Sequence, residues 1–337
     1  MIPHNRPALG PGEQAAALAV LAGGWVAQGP EVEAFENELC GFLDLPKGHA
    51  VAVSSGSAAL FLATWVLGGK GKRVGLPAYS CSALRNSVGL AGGTCVYLDC
   101  HEGGVNVDAA AAVRAGVDIL MAPSMFGLPA ELPESRNFLL IEDLAQSLGA
   151  EIAGKRIGLR GEAGVCSFYA TKLMTTGGQG GAVFSRDKAL IDKVRDYREF
   201  DCREDAKFRF NFQMTDLQAA VGRVQLSRLP EFLGRREKWF GMYQSGGLDL
   251  LDFTRSGAKP VRYRIVMRCA RPGRVVSALA AAGIQAIVPI KENEILDDSA
   301  LYPIALQLTR TTVSLPAHPG LKEEDVARIA RAAKDAT

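Results

Sequence analysis

The sequence predicts an α/β protein in which helices flank a seven-stranded, mostly parallel sheet, with a small α+β domain after it. Seven short apolar runs have strand character, and helical stretches separate several of them. Such alternation is typical of parallel sheets that are covered on their faces. A glycine-containing stretch then precedes further strand and helix runs, so we expect a large domain over residues 1–243 and a small one over 244–337. The predicted strands of the sheet are 50–53, 73–76, 94–98, 118–122, 138–141, 165–169 and 181–184.

The composition excludes several classes of protein. The chain of 337 residues is 48% hydrophobic and 22% charged, which suffices for a large core and a second domain. Its 38 basic and 36 acidic side chains nearly balance, so nothing indicates nucleic acid or a membrane surface as a partner. No run reaches membrane-spanning length, and residues 1–6 lack the apolar core of a signal peptide. Seven cysteines without a Cys-x-x-Cys spacing and four scattered histidines predict reduced thiols, no metal site and a cytoplasmic location.

The N-terminal segment is predicted to form an extended arm over residues 2–12 and helices over 13–23 and 31–43. The second helix has apolar residues at helical spacing. Between the helices lies Gly-Trp-Val-Ala-Gln-Gly-Pro, residues 24–30, which includes Gln28. From the residues alone, this break is a plain linker.

A possible phosphate site follows the first strand of the sheet. Residues 50–53 lead into Ser54-Ser55-Gly56-Ser57 and a helix predicted over 58–67. Free amides and the helix dipole at such an N-terminus favour an anion. The same pattern is also common in α/β proteins that bind no phosphate there.

An acid ends the strand at 138–141, where the sequence continues Glu142-Asp143-Leu144-Ala145-Gln146. Open α/β sheets bind ligands at the carboxyl ends of their strands, so Asp143 is a candidate site residue. Its alternative role is to cap the helix predicted over 145–150.

Lys172 lies between the last two predicted strands of the sheet, just before the glycine-rich run 177–181. An amine that is partly desolvated and closely approached by backbone is suited to forming an imine with a carbonyl compound. Alone, a lysine beside glycines is most often a solvated surface residue. Together with Asp143, however, it matches what pyridoxal phosphate needs, namely an amine for the aldehyde and a carboxylate for the pyridine nitrogen.

The remaining chain is predicted to be helical over 188–200, charged and loop-like over 201–207, and helical again over 217–226 and 233–243. Thr215 or Asp216 is expected to cap the helix at 217. The small domain is predicted to contain strands at 262–268 and 284–289 and helices at 273–282 and 323–333. A lone histidine, His318, stands in a late Leu-Pro-Ala-His run and on its own is more often structural.

The runs Ile-Glu-Asp-x-Ala-Gln and Ser-Phe-Tyr-x-Thr-Lys and the glycine-rich turn resemble the DegT/DnrJ/EryC1/StrS aminotransferases. These are fold-type-I, pyridoxal-phosphate enzymes, most of which act on keto sugars attached to nucleotides. The resemblance covers nearly the whole chain. It implies that Lys172 holds the cofactor as an imine and moves the proton, that Asp143 pairs with the pyridine nitrogen, and that Gln146 bonds the ring hydroxyl.

The resemblance also implies a shared phosphate site and a homodimer. Gly56, Ser57, Ala58 and Ser167 would hold the cofactor phosphate together with Asn211 of the partner chain. The Gly-Trp-x-x-Gln-Gly-Pro and Leu-Pro-x-His segments of the family place Gln28 and His318 near the substrate.

Three positions depart from the family pattern. Cys81 stands where the family stacks an aromatic ring on the cofactor, and Tyr79 compensates only if the backbone differs. Ser124 replaces the histidine of His-Leu-Tyr-Gly, and Gln213 replaces an arginine. These departures leave the cofactor chemistry intact and bear on the choice of substrate.

Three functions are compatible with this pattern. The first is transfer of an amino group, from glutamate as the expected donor, to a keto sugar in polysaccharide or secondary-metabolite biosynthesis. The second is a sugar dehydratase or other imine-based reaction; family dehydratases carry histidine in place of the lysine, so Lys172 argues against it. The third is a non-catalytic regulatory relative, against which the intact set of Asp143, Gln146, Ser167 and Lys172 argues.

Overall fold

The computed structural model describes residues 1–133, 135–252 and 257–337. The strands found there are β1 (Ala50–Val53), β2 (Arg73–Pro77), β3 (Thr94–Leu98), β4 (Ile119–Pro123), β5 (Leu139–Asp143), β6 (Glu151–Ile152), β7 (Lys155–Arg156), β8 (Ala163–Ser167), β9 (Gly181–Phe184), β10 (Ala258–Lys259), β11 (Ile265–Arg268) and β12 (Thr312–Leu315). The helices are α1 (Pro11–Gly23), α2 (Pro30–Phe42), α3 (Gly56–Val66), α4 (Ser82–Leu90), α5 (Ala109–Arg114), α6 (Lys188–Arg198), α7 (Asp216–Ser245), α8 (Pro272–Ala281), α9 (Pro303–Thr311) and α10 (Glu323–Ala336). In the described part of the chain, no helix has both the length and the apolar character needed to cross a bilayer.

The main sheet has seven strands in the order β1-β9-β8-β5-β4-β2-β3, which confirms the predicted sheet. β9 runs antiparallel to both of its neighbours, and the other six strands run parallel to one another. β1, β4 and β9 are buried along their whole length, as expected for a sheet covered on both faces. In the register, Asp143 lies opposite Pro123 on one side and Val165 on the other, so the carboxyl ends of β4, β5 and β8 meet at one edge.

Helix α7 is a single helix of 30 residues that contains Pro230, where the sequence predicted helical stretches over 217–226 and 233–243. A proline inside a helix removes one backbone hydrogen bond, but the flanking Leu229 and Phe232 are fully buried and hold the helix in place. Thr215 caps it, as predicted, by accepting a hydrogen bond from the Gln218 N–H. Asp216 instead accepts hydrogen bonds from the first N–H groups of α2, which has no side chain of its own to cap it.

The C-terminal part is built on the antiparallel pair β11–β12, against which α8 and α10 pack. The end of α7 contributes Trp239, Phe240 and Tyr243 to the same core, and Ile2 joins it from the N-terminal arm. The boundary predicted at residue 243 stays a prediction; α7 crosses it and ends at Ser245. Residues 253–256, inside the predicted junction, lie outside the described residues.

Two local predictions are wrong. Residues 145–150 form successive turns instead of a helix, because the segment is short and Gly149 adopts a left-handed φ of 91°. Residues 284–289 do not form a strand. Ile284 bridges to Ile2 of the arm and Ile287 to Ser314, so the segment divides its hydrogen bonds between two partners. The sequence also gave no sign of α9 or of the small sheet of β6, β7 and β10.

Candidate active site

A cavity of about 290 Å³ opens at the carboxyl edge of the main sheet. The ends of β4, β5 and β8 and the N-terminus of α3 form its walls. We call it the sheet-edge cavity. The structure brings together in its lining seven of the residues predicted from the sequence: Gly56, Ser57, Cys81, Asp143, Gln146, Ser167 and Lys172.

The N-terminus of α3 forms one end of this cavity. The side chain of Ser55 caps the helix by accepting the N–H of Ala58 at 3.1 Å, so Ala58 points its amide at the cap and does not line the cavity. Gly56 and Ser57 do line it, and the first N–H groups of a helix have no acceptor within the helix. A side chain on Gly56 would lie 2.6 Å from Cβ and 2.8 Å from Oγ of Ser167, so only glycine lets the helix approach β8 this closely. Amides and serine hydroxyls therefore converge on a point suited to an anion.

Asp143 forms the other end, at the tip of β5. Its side chain is 6% exposed, and Oδ1 accepts the N–H of Ala145 at 2.8 Å. Burial raises the pKa of Asp143, while that N–H and the charge of Lys172 oppose the rise. A buried carboxylate with so little compensation is stabilised by a cation placed in the cavity beside it.

Gln146 is held in one orientation above the sheet edge. Its Oε1 accepts the Phe126 N–H at 2.8 Å, and its Nε2 lies 3.7 Å from Sδ of Met125. Phe126 has a left-handed φ of 60°, which is unusual for a residue with a side chain. Because the amide oxygen is engaged by the backbone and one N–H of the NH2 group donates to the Met125 sulfur, the other N–H is left to donate into the cavity.

Lys172 lies on the loop between β8 and β9. The loop is closed by hydrogen bonds from Ala170 N–H to the Gly178 carbonyl (2.9 Å) and from Lys172 N–H to the Tyr169 carbonyl (2.8 Å). Asn5 of the N-terminal arm donates to the Thr171 carbonyl at 2.7 Å. These bonds fix the backbone on both sides of the lysine, whose Nζ lies 5.6 Å from the ring centroid of Tyr263.

A second cavity, of about 510 Å³, lies between the sheet edge and the C-terminal part; we call it the outer cavity. The walls that it does not share with the first are formed by Ser82, Arg85, Phe126, Thr171, Tyr263, Arg264 and residues 289–290 and 293–296. Lys172 lines both cavities and so stands at their junction. The residues common to the two linings are Ser80, Cys81, Met125, Gln146, Tyr169 and Lys172.

Tyr263 and Arg264 were missed by the sequence analysis. They lie just before β11, in a run that shows only strand character, and no motif marks them. Burial would raise the pKa of Tyr263, but the positive charges of Lys172, Arg264 and Arg236, together with the Thr171 side chain, outweigh it and lower that pKa. The ring therefore lies in a strongly positive environment.

Three other predicted site residues lie outside both cavities of their own chain. Asn211 is exposed on the segment before α7. Gln28 donates to Oε1 of Glu199 at 3.3 Å and lines a separate surface cavity. His318 is buried in the C-terminal part, where burial and the charge of Arg236 lower its pKa to about 4.

Tyr79 does not replace the aromatic ring that the family carries at the position of Cys81. It is fully buried in a separate core, with its ring edge-on to Phe126 at 6.2 Å between centroids, and it lines neither cavity. Cys81 itself is exposed and lines both. The small thiol leaves the region beside Lys172 wider than an aromatic side chain would.

The chain is similar to known proteins over nearly its whole length. The sequence profile of the DegT/DnrJ/EryC1/StrS aminotransferase family matches residues 7–334. The erythromycin biosynthesis sensory transduction protein EryC1 of Saccharopolyspora erythraea is 30% identical over 330 residues, which cover 90% of each chain. The dTDP-3-amino-3,4,6-trideoxy-alpha-D-glucose transaminase of Streptomyces venezuelae is 30% identical over 347 residues, which cover 95% of this chain and 91% of the relative. The crystal structure of the aminotransferase TlmJ from Streptoalloteichus hindustanus matches with a TM-score of 0.91 and 27% identity, covering 100% of this chain and 98% of that one. The chain therefore belongs to the DegT/DnrJ/EryC1/StrS aminotransferase family and is a pyridoxal-phosphate-dependent aminotransferase.

Proposed function

We propose that the enzyme transfers an amino group from an amino acid, with glutamate the expected donor, to a keto sugar carried on a nucleotide. The observation that supports this most is the position of Lys172 at the junction of two cavities. One cavity offers an anion site and a buried carboxylate, and the other is open to a second molecule. A relative of similar length is named as a transaminase of a dTDP-linked sugar, which supports a nucleotide-linked acceptor.

The residues of the sheet-edge cavity fit pyridoxal phosphate. Because Gly56 has no side chain, a space beside Ser167 stays open that suits a phosphate. Gly56, Ser57 and Ser167 supply hydrogen-bond donors to it. When bound, this cofactor supplies an electron sink for the substrate's amine carbon. Asp143 would hold the proton on the pyridine nitrogen, since its buried carboxylate needs a cationic partner.

Lys172 would act as the base and acid of the reaction. Its amine would take a proton from the α-carbon of the amino donor, and in the second half of the reaction it would give a proton to the sugar carbon that receives the nitrogen. Gln146 would donate its NH2 group to the ring hydroxyl, because its oxygen is already held by the Phe126 N–H.

We further propose that the active unit is a homodimer in which Asn211 completes the phosphate site of the partner chain. Asn211 is exposed and lies outside both cavities of its own chain, which supports a role across an interface. In a mixture of Asn211→Ala and Lys172→Ala chains, subunit exchange would then create heterodimers with one intact site. Activity should reappear in the mixture. If Asn211 serves its own chain, no activity above that of the separate variants is recovered.

A substrate screen tests the proposed reaction. The purified protein, loaded with pyridoxal phosphate, is followed by absorbance while amino donors are added, and keto-sugar nucleotides are then added to the aminated form. We expect glutamate to convert the cofactor spectrum and a keto-sugar nucleotide to restore it. A spectrum that responds to no donor would leave the regulatory alternative as the better explanation, and a reaction that releases water without transferring nitrogen would indicate a dehydratase.

A further inference from the structure

We infer that Arg264 forms a subsite in the outer cavity for an anionic group of the substrate, a carboxylate or a phosphate. The inference rests on the proposed function, because it assigns a ligand group to the substrate side of the same site. It concerns a residue that no motif in the sequence marks.

The guanidinium of Arg264 lacks the partners that a half-buried arginine usually has. Its Nη1 is buried without a hydrogen-bond partner, and no carboxylate in the described residues forms an ion pair with it. Two residues earlier, Arg262 pairs with Asp252 at 2.8 Å and Glu237 at 3.2 Å. Arg236, buried nearby, donates to the carbonyls of Tyr263 and Ala317 at 2.9 and 3.1 Å. An unpaired, desolvated guanidinium costs free energy that an anionic ligand would offset.

Arg264 faces the cavity in which the substrate must approach Lys172. Its Cζ lies 5.7 Å from the ring centroid of Tyr263, and Nζ of Lys172 lies 5.6 Å from the same centroid. Both residues line the outer cavity. A substrate that reacts beside Lys172 at one end can therefore reach the Arg264 guanidinium with its other end.

The charges around the outer cavity favour an anion. Its charged lining consists of Arg85, Lys172 and Arg264 against a single carboxylate, Glu294. Arg85 is exposed at the rim of the cavity, and Lys172 has an ammonium group instead of a guanidinium. Of these three cations, Arg264 is therefore the one that places a planar guanidinium beside buried side chains. The surplus of positive charge and the free donor geometry together match a carboxylate or a phosphate group.

The subsite is also rigid with respect to the rest of the site. The backbone N–H of Arg264 donates to the Phe126 carbonyl at 3.3 Å, and the Phe126 N–H is the group held by Gln146. The backbone of Phe126 therefore links Gln146, which is expected to orient the cofactor, with Arg264, which would orient the substrate. Such support is what positions a reacting atom accurately.

Two groups of the proposed substrates carry this chemistry, the carboxylates of the amino donor and the diphosphate of the nucleotide. The test uses protein loaded with pyridoxal phosphate as wild type, Arg264→Gln, Arg264→Lys and Arg85→Gln. Arg85→Gln is the matched control because it removes a cation from the rim of the same cavity. The half-saturating concentration of L-glutamate is measured from the spectral conversion, and the affinity for dTDP is measured by calorimetry.

We expect Arg264→Gln to raise one of these two constants ten- to a hundred-fold, as for the loss of a charge-assisted hydrogen bond, with a smaller effect in Arg264→Lys and less than a threefold effect in Arg85→Gln. A change with glutamate alone assigns the group to the donor's carboxylate, and a change with dTDP alone assigns it to the diphosphate. If both constants of Arg264→Gln stay within twofold of wild type, or if Arg85→Gln has the same effect, the subsite does not exist. If no amino donor changes the cofactor spectrum of the wild-type protein, the proposed function fails. The dTDP measurement still tests Arg264 in that case.

Discussion

The two cavities that meet at Lys172 are built in different ways. The sheet-edge cavity is formed by the ends of neighbouring strands and the first turn of α3, so its polar groups come from the edge of one rigid sheet. The outer cavity is walled by segments distant in sequence, 80–85, 263–264 and 289–296. The sheet-edge cavity contains Asp143, a buried acid with few partners, and the outer cavity contains Arg264, a cation without an ion-pair partner in the described residues. We therefore expect the cofactor chemistry to depend on residues at the edge of the sheet, and the choice of substrate to depend on loops and on the C-terminal part.

The largest effect in the sheet-edge cavity is expected at Asp143. Asp143→Asn keeps the hydrogen bond from the Ala145 N–H but removes the charge that would hold the proton on the pyridine nitrogen. We expect turnover to fall about 10²- to 10³-fold, the usual loss for a preorganised electrostatic group, while the cofactor stays bound. The measurement is kcat together with the cofactor content of the purified variant. Turnover near the wild-type value would mean that Asp143 serves only the local turn.

The same variant should gain stability when the cofactor is absent. Burial raises the pKa of Asp143, so the folded protein binds this proton more tightly than the unfolded chain does. Stability of the cofactor-free protein therefore falls as pH rises above about 3.9, the ordinary pKa of an aspartate, and reaches its lowest value once the pH exceeds the raised folded pKa. Asp143→Asn should be more stable there by about 1 kcal/mol, measured by urea unfolding. A variant less stable than wild type without cofactor contradicts this assignment.

A smaller effect is expected at the phosphate end of the sheet-edge cavity. Gly56→Ala places a methyl group 2.6 Å from Cβ of Ser167, which must move α3 away from β8. We expect cofactor affinity to fall roughly ten- to a hundred-fold, since about one charge-assisted hydrogen bond is lost. Gly41→Ala is the matched control, because the added methyl of this helical glycine meets no atom within 4 Å. Equal affinities of the two variants would show that the close approach of α3 is not needed.

A further effect, on stability alone, concerns His318, which lies outside both cavities. Burial and the charge of Arg236 lower its pKa to about 4, below the ordinary value near 6.5. The unfolded chain therefore binds the proton first, so stability is present above about pH 6.5 and is lost as pH falls toward 4, by at most about 1.4 kcal/mol per pH unit. Neighbouring His4, whose pKa burial lowers to about 3, adds a similar slope. His318→Asn should reduce the acid slope of the unfolding free energy without removing it, and an unchanged slope would contradict the assignment.

The difference between the cavities also explains what the sequence could predict. Asp143 and Ser167 end strands, Gly56 begins a helix after a strand, and Lys172 precedes a glycine turn, so local patterns place them at one edge of a sheet. Tyr263 and Arg264 carry no such pattern, because only the packing of the C-terminal part against the sheet brings them to Lys172. Tyr79 and Cys81 show a second limit of prediction from the sequence. Their spacing in the sequence did not decide which of them faces the cavity, and the packing of Tyr79 against Phe126 did.

The proposed reaction depends most on Lys172 as the residue that carries the cofactor. Borohydride reduction of the purified, cofactor-loaded protein, followed by peptide mass analysis, tests this directly, with Lys172→Ala as the control. We predict one phosphopyridoxyl group on Lys172 and none in the control, which should still hold cofactor non-covalently through the phosphate site. Recovery of the group on another lysine, or on none, would contradict it.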